Sequence, residues 1–253
     1  MAAVETLFIS DLHLSPERPA ITALFVDFLG ARARAANALY ILGDLFEYWL
    51  GDEATQHSAV QPIIAALRAV TDAGLPVYLL HGNRDFLLGT TFERQIGCRL
   101  LPDPSRIDLF GTTALISHGD QLCTDDVDYQ KLRAMVRNPD WQRDFLAKPM
   151  VEREAMARRL REYSKDATAQ KASEIMDVNQ AAVESFLRTH GATNLIHGHT
   201  HRPGDHRFAL DGQTARRVVL GDWYEQGSVL RCTPSAWVLE TLPLATTKTS
   251  ARH

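Results

Sequence analysis

The sequence is poor in cysteine and in net charge, and it has no long hydrophobic run. Its 253 residues include three cysteines, Cys98, Cys123 and Cys232. They lie too far apart for a zinc knuckle or a thioredoxin-type pair, and an odd number argues against a disulfide framework. A reducing cytoplasm is the expected compartment. The formal charge of −4 excludes nucleic-acid binding by bulk electrostatics, so no nucleic acid is expected as a partner. No stretch approaches the roughly 18–20 apolar residues that span a bilayer. The first ten residues carry neither a basic segment nor a long apolar core, so no secretory signal is expected. Any contact with a membrane is then confined to its surface.

What remains is the composition of an ordinary globular protein, 45% hydrophobic and 23% charged. Short apolar runs at 4–10, 39–42 and 76–80 alternate with helical periodicity at 20–36 and 59–73. That rhythm predicts an α/β fold with parallel pairing, in which ligands collect beyond the carboxyl ends of the strands. Runs at 107–117 and 194–197 continue the strand set. Beyond 207 the pattern becomes short strands at 216–220, 226–232 and 236–242 joined by Gly, Asp and Pro turns, expected to form an antiparallel second sheet.

Residues 125–191 read as helical almost throughout, with Tyr129, Leu132, Met135 and Val136 on one face and Met156, Leu160 and Tyr163 following at helical spacing. Within them, 127–171 carries eleven Lys/Arg against seven Asp/Glu, a local +4 that leaves the rest of the chain at −8. A solvated helical hairpin and a cap over an anionic ligand or membrane surface both fit that charge. The expected organisation is one domain over 1–245 with a helical insertion at about 125–190 and a frayed polar tail at 246–253.

Each expected core strand ends in potential metal ligands: Asp11-Leu12-His13, Gly43-Asp44, Gly82-Asn83-Arg84-Asp85, His118-Gly119-Asp120 and Gly198-His199-Thr200-His201. Taken singly these are weak signals. Gly-Asp is a common turn, and a lone Asp-x-His is as readily a cap. Five such clusters, each at a strand end, point to a shared site. Residues i and i+2 leaving a strand face the same side, which pairs Asp11 with His13 and His199 with His201. Carboxylate oxygen with imidazole nitrogen suits Mn²⁺, Fe²⁺ or Zn²⁺ and not a thiolate site. Seven ligands suit two ions, which can clamp a phosphoryl group and activate a water.

These clusters resemble the signature of the calcineurin-like metallophosphoesterase family. The longer stretches 41–47, 81–89, 118–126 and 175–180 are similar to the branch of that family that cleaves the diphosphate of UDP-2,3-diacylglucosamine in lipid A biosynthesis of Gram-negative bacteria. The resemblance covers the chain to about residue 242. It implies a sandwich of two mixed β-sheets flanked by helices, with a helical cap over the site. One metal would be held by Asp11, His13, Asp44 and His201; Asp44 would bridge to a second, held by Asn83, His118 and His199. The implied cofactor is two Mn²⁺, with Fe²⁺, Zn²⁺ or Mg²⁺ left open by the residues themselves. The implied substrate contacts are Asn83, Arg84, Asp126, Ser164, Thr168, Lys171 and His199, with Thr168 standing where the family has Asn. The catalytic set is Asp44, Arg84 and His199. The implied place is the cytoplasmic face of the inner membrane, as a peripheral protein; the sequence leaves the oligomeric state open, with a monomer favoured. Another calcineurin-like phosphodiesterase or a nuclease is the alternative.

Arg84 bears on that choice. Many members of the wider family carry a His there, thought to protonate an alkoxide leaving group, whereas arginine stays charged and cannot act as a general acid at neutral pH. Cleavage of a diphosphate releases a phosphate monoester, whose second pKa of roughly 6 lets it leave without a proton. Arg84 would instead donate to the phosphate oxygens; the bland alternative is an ion pair with Asp85 or Asp120. In the insertion, Trp141, Phe145, Leu146, Met150, Met156 and Leu160 fit either its own small core or an acyl-chain groove. Arg153, Arg158, Arg159 and Arg161 are candidates for anionic headgroups.

Overall fold

The computed structural model describes residues 4–169 and 177–244, the side chains of 161–169 apart. The chain runs β1 (Thr6–Ile9), α1 (Pro19–Ala31), β2 (Ala38–Ile41), α2 (Gln61–Asp72), β3 (Val77–Leu79), α3 (Thr90–Ile96), β4 (Arg99–Leu100), β5 (Ser105–Leu109) and β6 (Thr112–Ile116). It continues through α4 (Val127–Val136), α5 (Pro139–Leu146), α6 (Met150–Ala169), α7 (Gln180–Thr189), β7 (Asn194–His197), β8 (Gly204–Leu210), β9 (Gln213–Val219), β10 (Gly227–Cys232) and β11 (Trp237–Leu242).

Two mixed sheets face each other. The first has the order β11-β10-β1-β2-β3-β4, with β1 to β4 parallel and β10 and β11 antiparallel to their neighbours. The second has the order β5-β6-β7-β9-β8, parallel through β6, β7 and β9 and antiparallel at both edges. β1 shows why the sequence reads as a continuous apolar run there. Leu7 and Ile9 pack with residues of α1, α2 and α3, while Phe8 joins Leu42, Leu80, Ile116, Ile196 and Leu230 in a second cluster drawn from both sheets. A strand covered on both faces has no polar alternation. Phe8→Ala, which would open a cavity between the sheets, should cost about 3–5 kcal/mol.

Several expectations change. Residues 107–117 are not one strand: Phe110 and Gly111 both take positive φ and turn the chain from β5 back into β6. The helix read over 20–36 ends at Ala31, followed by a 3₁₀ turn at Ala33–Ala35. The strands beyond 207 form no separate antiparallel sheet; β8 and β9 complete the second sheet, and β10 and β11 add to the first beside β1. Alternation reports a strand's faces but not its neighbour, so this placement was not readable locally. Helix α7, read as part of the insertion, sets Val183 and Leu187 against Leu115 of β6 and Leu195 of β7.

The helical insertion is tied to the core by an ion pair. Arg153 of α6, only 5% exposed, donates to the Leu50 carbonyl (2.7 Å) and to the Glu53 carboxylate (2.8 Å). It is therefore an anchor and not a headgroup ligand, whereas Arg158 and Arg159 are exposed. Asn138 caps α5, accepting from the backbone N–H groups of Asp140 and Trp141, with Pro139 next to it.

Candidate metal centre

The parallel strands β1, β2 and β3 deliver their following loops to one edge of the first sheet, and β6 and β7 do so in the second. Backbone hydrogen bonds continue the ladders past the strands: Leu42 N–H to the Ile9 carbonyl (2.8 Å), Asp11 N–H to Gly43 (3.2 Å), and Gly198 N–H to His118 (2.9 Å). Asp11, His13, Asp44, His199 and His201 all lie beyond the strand ends with positive φ, between 48° and 70°. Left-handed backbone costs a non-glycine residue roughly 1–2 kcal/mol and persists only where surrounding contacts enforce it. Left-handed turns, and not strand alternation, are what carry Asp11 and His13 to one point. Close approach also demands glycine at position 82, where a Cβ would collide with the Asp44 carboxylate.

The side chains converge. Asp11, His13 and His201 each offer a ligand atom within 4.8 Å of the others, and so do Asp11, Asp44 and His118. His13 Nε2 lies 3.4 Å from His201 Nε2, and His201 Nε2 lies 3.4 Å from Asp11 Oδ1. Nε2 of both His13 and His118 is 3.8 Å from Asp44 Oδ2. Asn83 Oδ1 is 2.9 Å from both His118 Nε2 and His199 Nδ1. All seven residues expected as metal ligands are brought together.

The donor set fits divalent cations. His13 Nδ1 faces the Glu47 carboxylate (3.4 Å), His201 Nδ1 faces Asp222 (3.8 Å), and His118 Nδ1 donates to the Leu42 carbonyl (2.8 Å). Each contact leaves the other ring nitrogen facing the site, the arrangement metal-binding histidines adopt. Asp11 Oδ1 is buried and makes no hydrogen bond, an acceptor waiting for positive charge. Burial would lower the His118 pKa, but Asp44, Asp11 and Asp120 push it up to about 9. Burial and the charge on His118 bring His199 down to about 3, so it is a neutral donor of its lone pair. Burial raises the Asp44 carboxyl against the pull of His118 and His13.

The remaining expected site residues divide. The Arg84 backbone N–H donates to Asp44 Oδ1 (2.8 Å). Among the described residues its guanidinium makes no ion pair. Asp85 is taken by four backbone N–H groups, of Gly82, Asp44, Leu45 and Phe46, and Asp120 by Arg133 (2.8 Å) with Arg137 at 3.7 Å. The bland alternative for Arg84 is therefore not realised. Asp126 caps α4, accepting from the Tyr129 N–H (3.1 Å). Ser164 and Thr168 lie on α6 and Lys171 beyond it; their side chains fall outside the described residues, as do residues 175 and 176 and the tail.

From Asn83 and Arg84 a groove runs toward the insertion, walled by Trp49, Phe86, Tyr129, Trp141, Phe145 and Leu160. Trp141 stacks on Phe145 with centroids 5.0 Å apart, and both pack against the main core. The apolar residues of the insertion thus serve the core and the groove together. Tyr129 donates to the buried Asp120 (2.9 Å) and lies over His199. Sequence reasoning missed Glu47, Asp85, Asp222 and Tyr224. Glu47 and Asp85 stood inside recognised stretches, but nothing local marked Asp222 or Tyr224.

Comparison with known proteins gives a consistent result. The calcineurin-like phosphoesterase family model matches residues 5–203. A protein named UDP-2,3-diacylglucosamine hydrolase from Xanthomonas oryzae pv. oryzae is 51% identical over 246 residues, covering 94% of this chain and 99% of that one. Proteins of the same name from Aeromonas salmonicida and Pseudomonas paraeruginosa are 50% and 53% identical, covering 99% and 90% of this chain and 98% and 94% of their own.

Proposed function

The chain belongs to the calcineurin-like phosphoesterase family, and from that premise we propose that it hydrolyses UDP-2,3-diacylglucosamine to UMP and 2,3-diacylglucosamine 1-phosphate, a step of lipid A biosynthesis. The observation that carries this reading is the likeness to hydrolases of that name over 90–99% of the chain, insertion included, because the insertion supplies walls of the apolar groove. Two acyl chains need such a groove, and Trp141, Phe145 and Leu160 offer it beside the metal centre.

The cofactor is a divalent metal, and the centre would take two Mn²⁺. Asp11, His13, Asp44 and His201 would hold one, with Asp44 shared and Asn83, His118 and His199 holding the other. When bound, the ions draw charge from the phosphoryl oxygens and lower the pKa of a water. Asp44 orients the attacking water toward the phosphorus on the UMP side. The new P–O bond replaces the bond to the lipid-side phosphate, which leaves as a monoester with a second pKa of roughly 6 and needs no proton. Arg84 and His199 steady the phosphoryl oxygens, Arg84 with a charge that no carboxylate among the described residues neutralises.

A helical cap over the groove and a peripheral position on the cytoplasmic face of the inner membrane belong to the same reading. Val127, Met135, Leu146 and Val151 of the insertion are exposed, beside exposed Arg158 and Arg159, and no helix among the described residues is long and apolar enough to cross a membrane. Reaction in ¹⁸O water with mass spectrometry of both products tests the chemistry. Label in UMP is expected; label in the lipid phosphate would refute attack on the UMP side, and no turnover would refute the function.

A further inference from the structure

The segment 222–224 wraps the His13–His201 end of the metal centre, and each of its residues touches a ligand. Asp222 Oδ2 lies 3.8 Å from His201 Nδ1, and the Trp223 N–H donates to the Asp11 carbonyl (3.0 Å). The Tyr224 ring stacks on the His13 imidazole, with centroids 5.2 Å apart and planes 11° from parallel, and meets His201 edge-on at 5.3 Å. The Arg18 guanidinium lies 4.5 Å from the Tyr224 centroid. Arg18 is itself fixed, donating to the Trp223 carbonyl at 2.6 Å and toward that of His13 at 3.4 Å. Three neighbours therefore set the position of this ring.

The other end of the residue is free. Tyr224 is 45% exposed, and its hydroxyl makes no hydrogen bond among the described residues. The ring that carries it lies against two of the expected metal ligands, His13 and His201, so the hydroxyl stands at the rim of the metal centre. Tyr224 and Asp222 line an open polar cleft with Glu225, Gln226 and Ser228, while the apolar groove begins at Asn83 and Arg84. With acyl chains in the apolar groove beside Asn83 and Arg84, the side of the centre at His13 and His201, where Tyr224 stands, is left for the nucleotide half.

We propose that Tyr224 is a further catalytic residue, whose hydroxyl donates a hydrogen bond to a non-bridging oxygen of the phosphorus under attack, alongside Arg84. A phenol keeps its proton at neutral pH. A donor locked in place before the reaction stabilises developing charge without reorganising. No proton is transferred; the hydroxyl contributes as a dipole. The inference rests on the reading that this centre cleaves a phosphate anhydride of a lipid-linked nucleotide.

Tyr224→Phe keeps the stack on His13 and the contact with Arg18 and removes only the hydroxyl. It should lower kcat about 10- to 100-fold on both UDP-2,3-diacylglucosamine and bis(p-nitrophenyl) phosphate, with Mn²⁺ affinity by calorimetry unchanged. Tyr224→Ala should weaken Mn²⁺ binding as well, because His13 loses its stacking partner. Wild-type kcat for Tyr224→Phe on both substrates would overturn the proposal. So would a loss of Mn²⁺ affinity in proportion to the loss of kcat, which would make Tyr224 a prop for His13 alone. Wild-type protein that cleaves the aryl diester but not the sugar nucleotide would refute the proposed function instead, and the Tyr224→Phe ratio on the diester would still decide the role of the hydroxyl.

Discussion

The Asp85 carboxylate holds the backbone of Asp44 from 41 residues away, accepting its N–H at 3.2 Å. It also accepts from Gly82 and Leu45, each at 2.8 Å, and from Phe46 at 3.4 Å. The loop that presents Asp44 is thereby tied to the loop that presents Asn83. Asp85→Asn replaces a two-oxygen acceptor with one oxygen and a misplaced donor. It should cost about 2 kcal/mol of stability and weaken Mn²⁺ binding about 10- to 100-fold. Urea unfolding and calorimetric titration read both; unchanged affinity would show that Asp44 needs no such support.

Arg84 should separate activity from stability. Its guanidinium has no ion pair to lose among the described residues, so Arg84→Ala should shift stability by less than about 0.5 kcal/mol. The same change should lower kcat about 100-fold. Arg84→Lys should restore only part, since an ammonium lacks the planar pair of donors. Steady-state kinetics beside a urea midpoint checks both.

The site was legible because chemistry sits at strand ends: Asp11-x-His13 and Gly198-His199-Thr200-His201 state both residue type and topological place. The left-handed backbone at Asp11, His13 and Asp44 was not legible, since it is imposed by contacts with distant loops. The same holds for Tyr224 against His13 and for Asp222 against His201. Arg153 misled for a related reason, because charge in a basic helix does not reveal a partner such as Glu53, one hundred residues upstream. In the fold, β1, β2, β3 and β7 were readable from apolar runs. The partners of β10 and β11 were not, because pairing is decided across the chain.

Trp141 tests the groove. It stacks on Phe145 and approaches Phe86 at 6.3 Å. Trp141→Ala removes an apolar wall and should raise KM for UDP-2,3-diacylglucosamine about tenfold or more, on the scale of burying one large apolar side chain. Turnover of bis(p-nitrophenyl) phosphate, which has no acyl chains, should stay near wild type. An equal loss on both substrates would mean that the groove does not hold the lipid.

The Glu53–Arg153 pair predicts how acid loosens the insertion. The Arg153 hydrogen bond, the largest influence, holds the Glu53 carboxyl below its ordinary 4.5. A carboxyl lowered on folding stabilises fully above about 4.5, and that contribution is lost as the pH falls through the lowered value. Glu53 is 61% exposed, so the effect is modest and local. Hydrogen exchange at the start of α6, corrected for intrinsic rates, should accelerate below about pH 4.5 in the wild type. In Glu53→Gln that pH dependence should be absent.

Calorimetric titration of chelator-stripped protein with Mn²⁺, run beside Asp44→Ala, tests most directly whether seven side chains from five loops form one dinuclear centre. The wild type should bind two equivalents saturably, and Asp44→Ala at most one, with its cooperative unfolding retained. Wild-type protein that takes up no Mn²⁺, or an Asp44→Ala variant that binds two equivalents with wild-type affinity, would contradict the account.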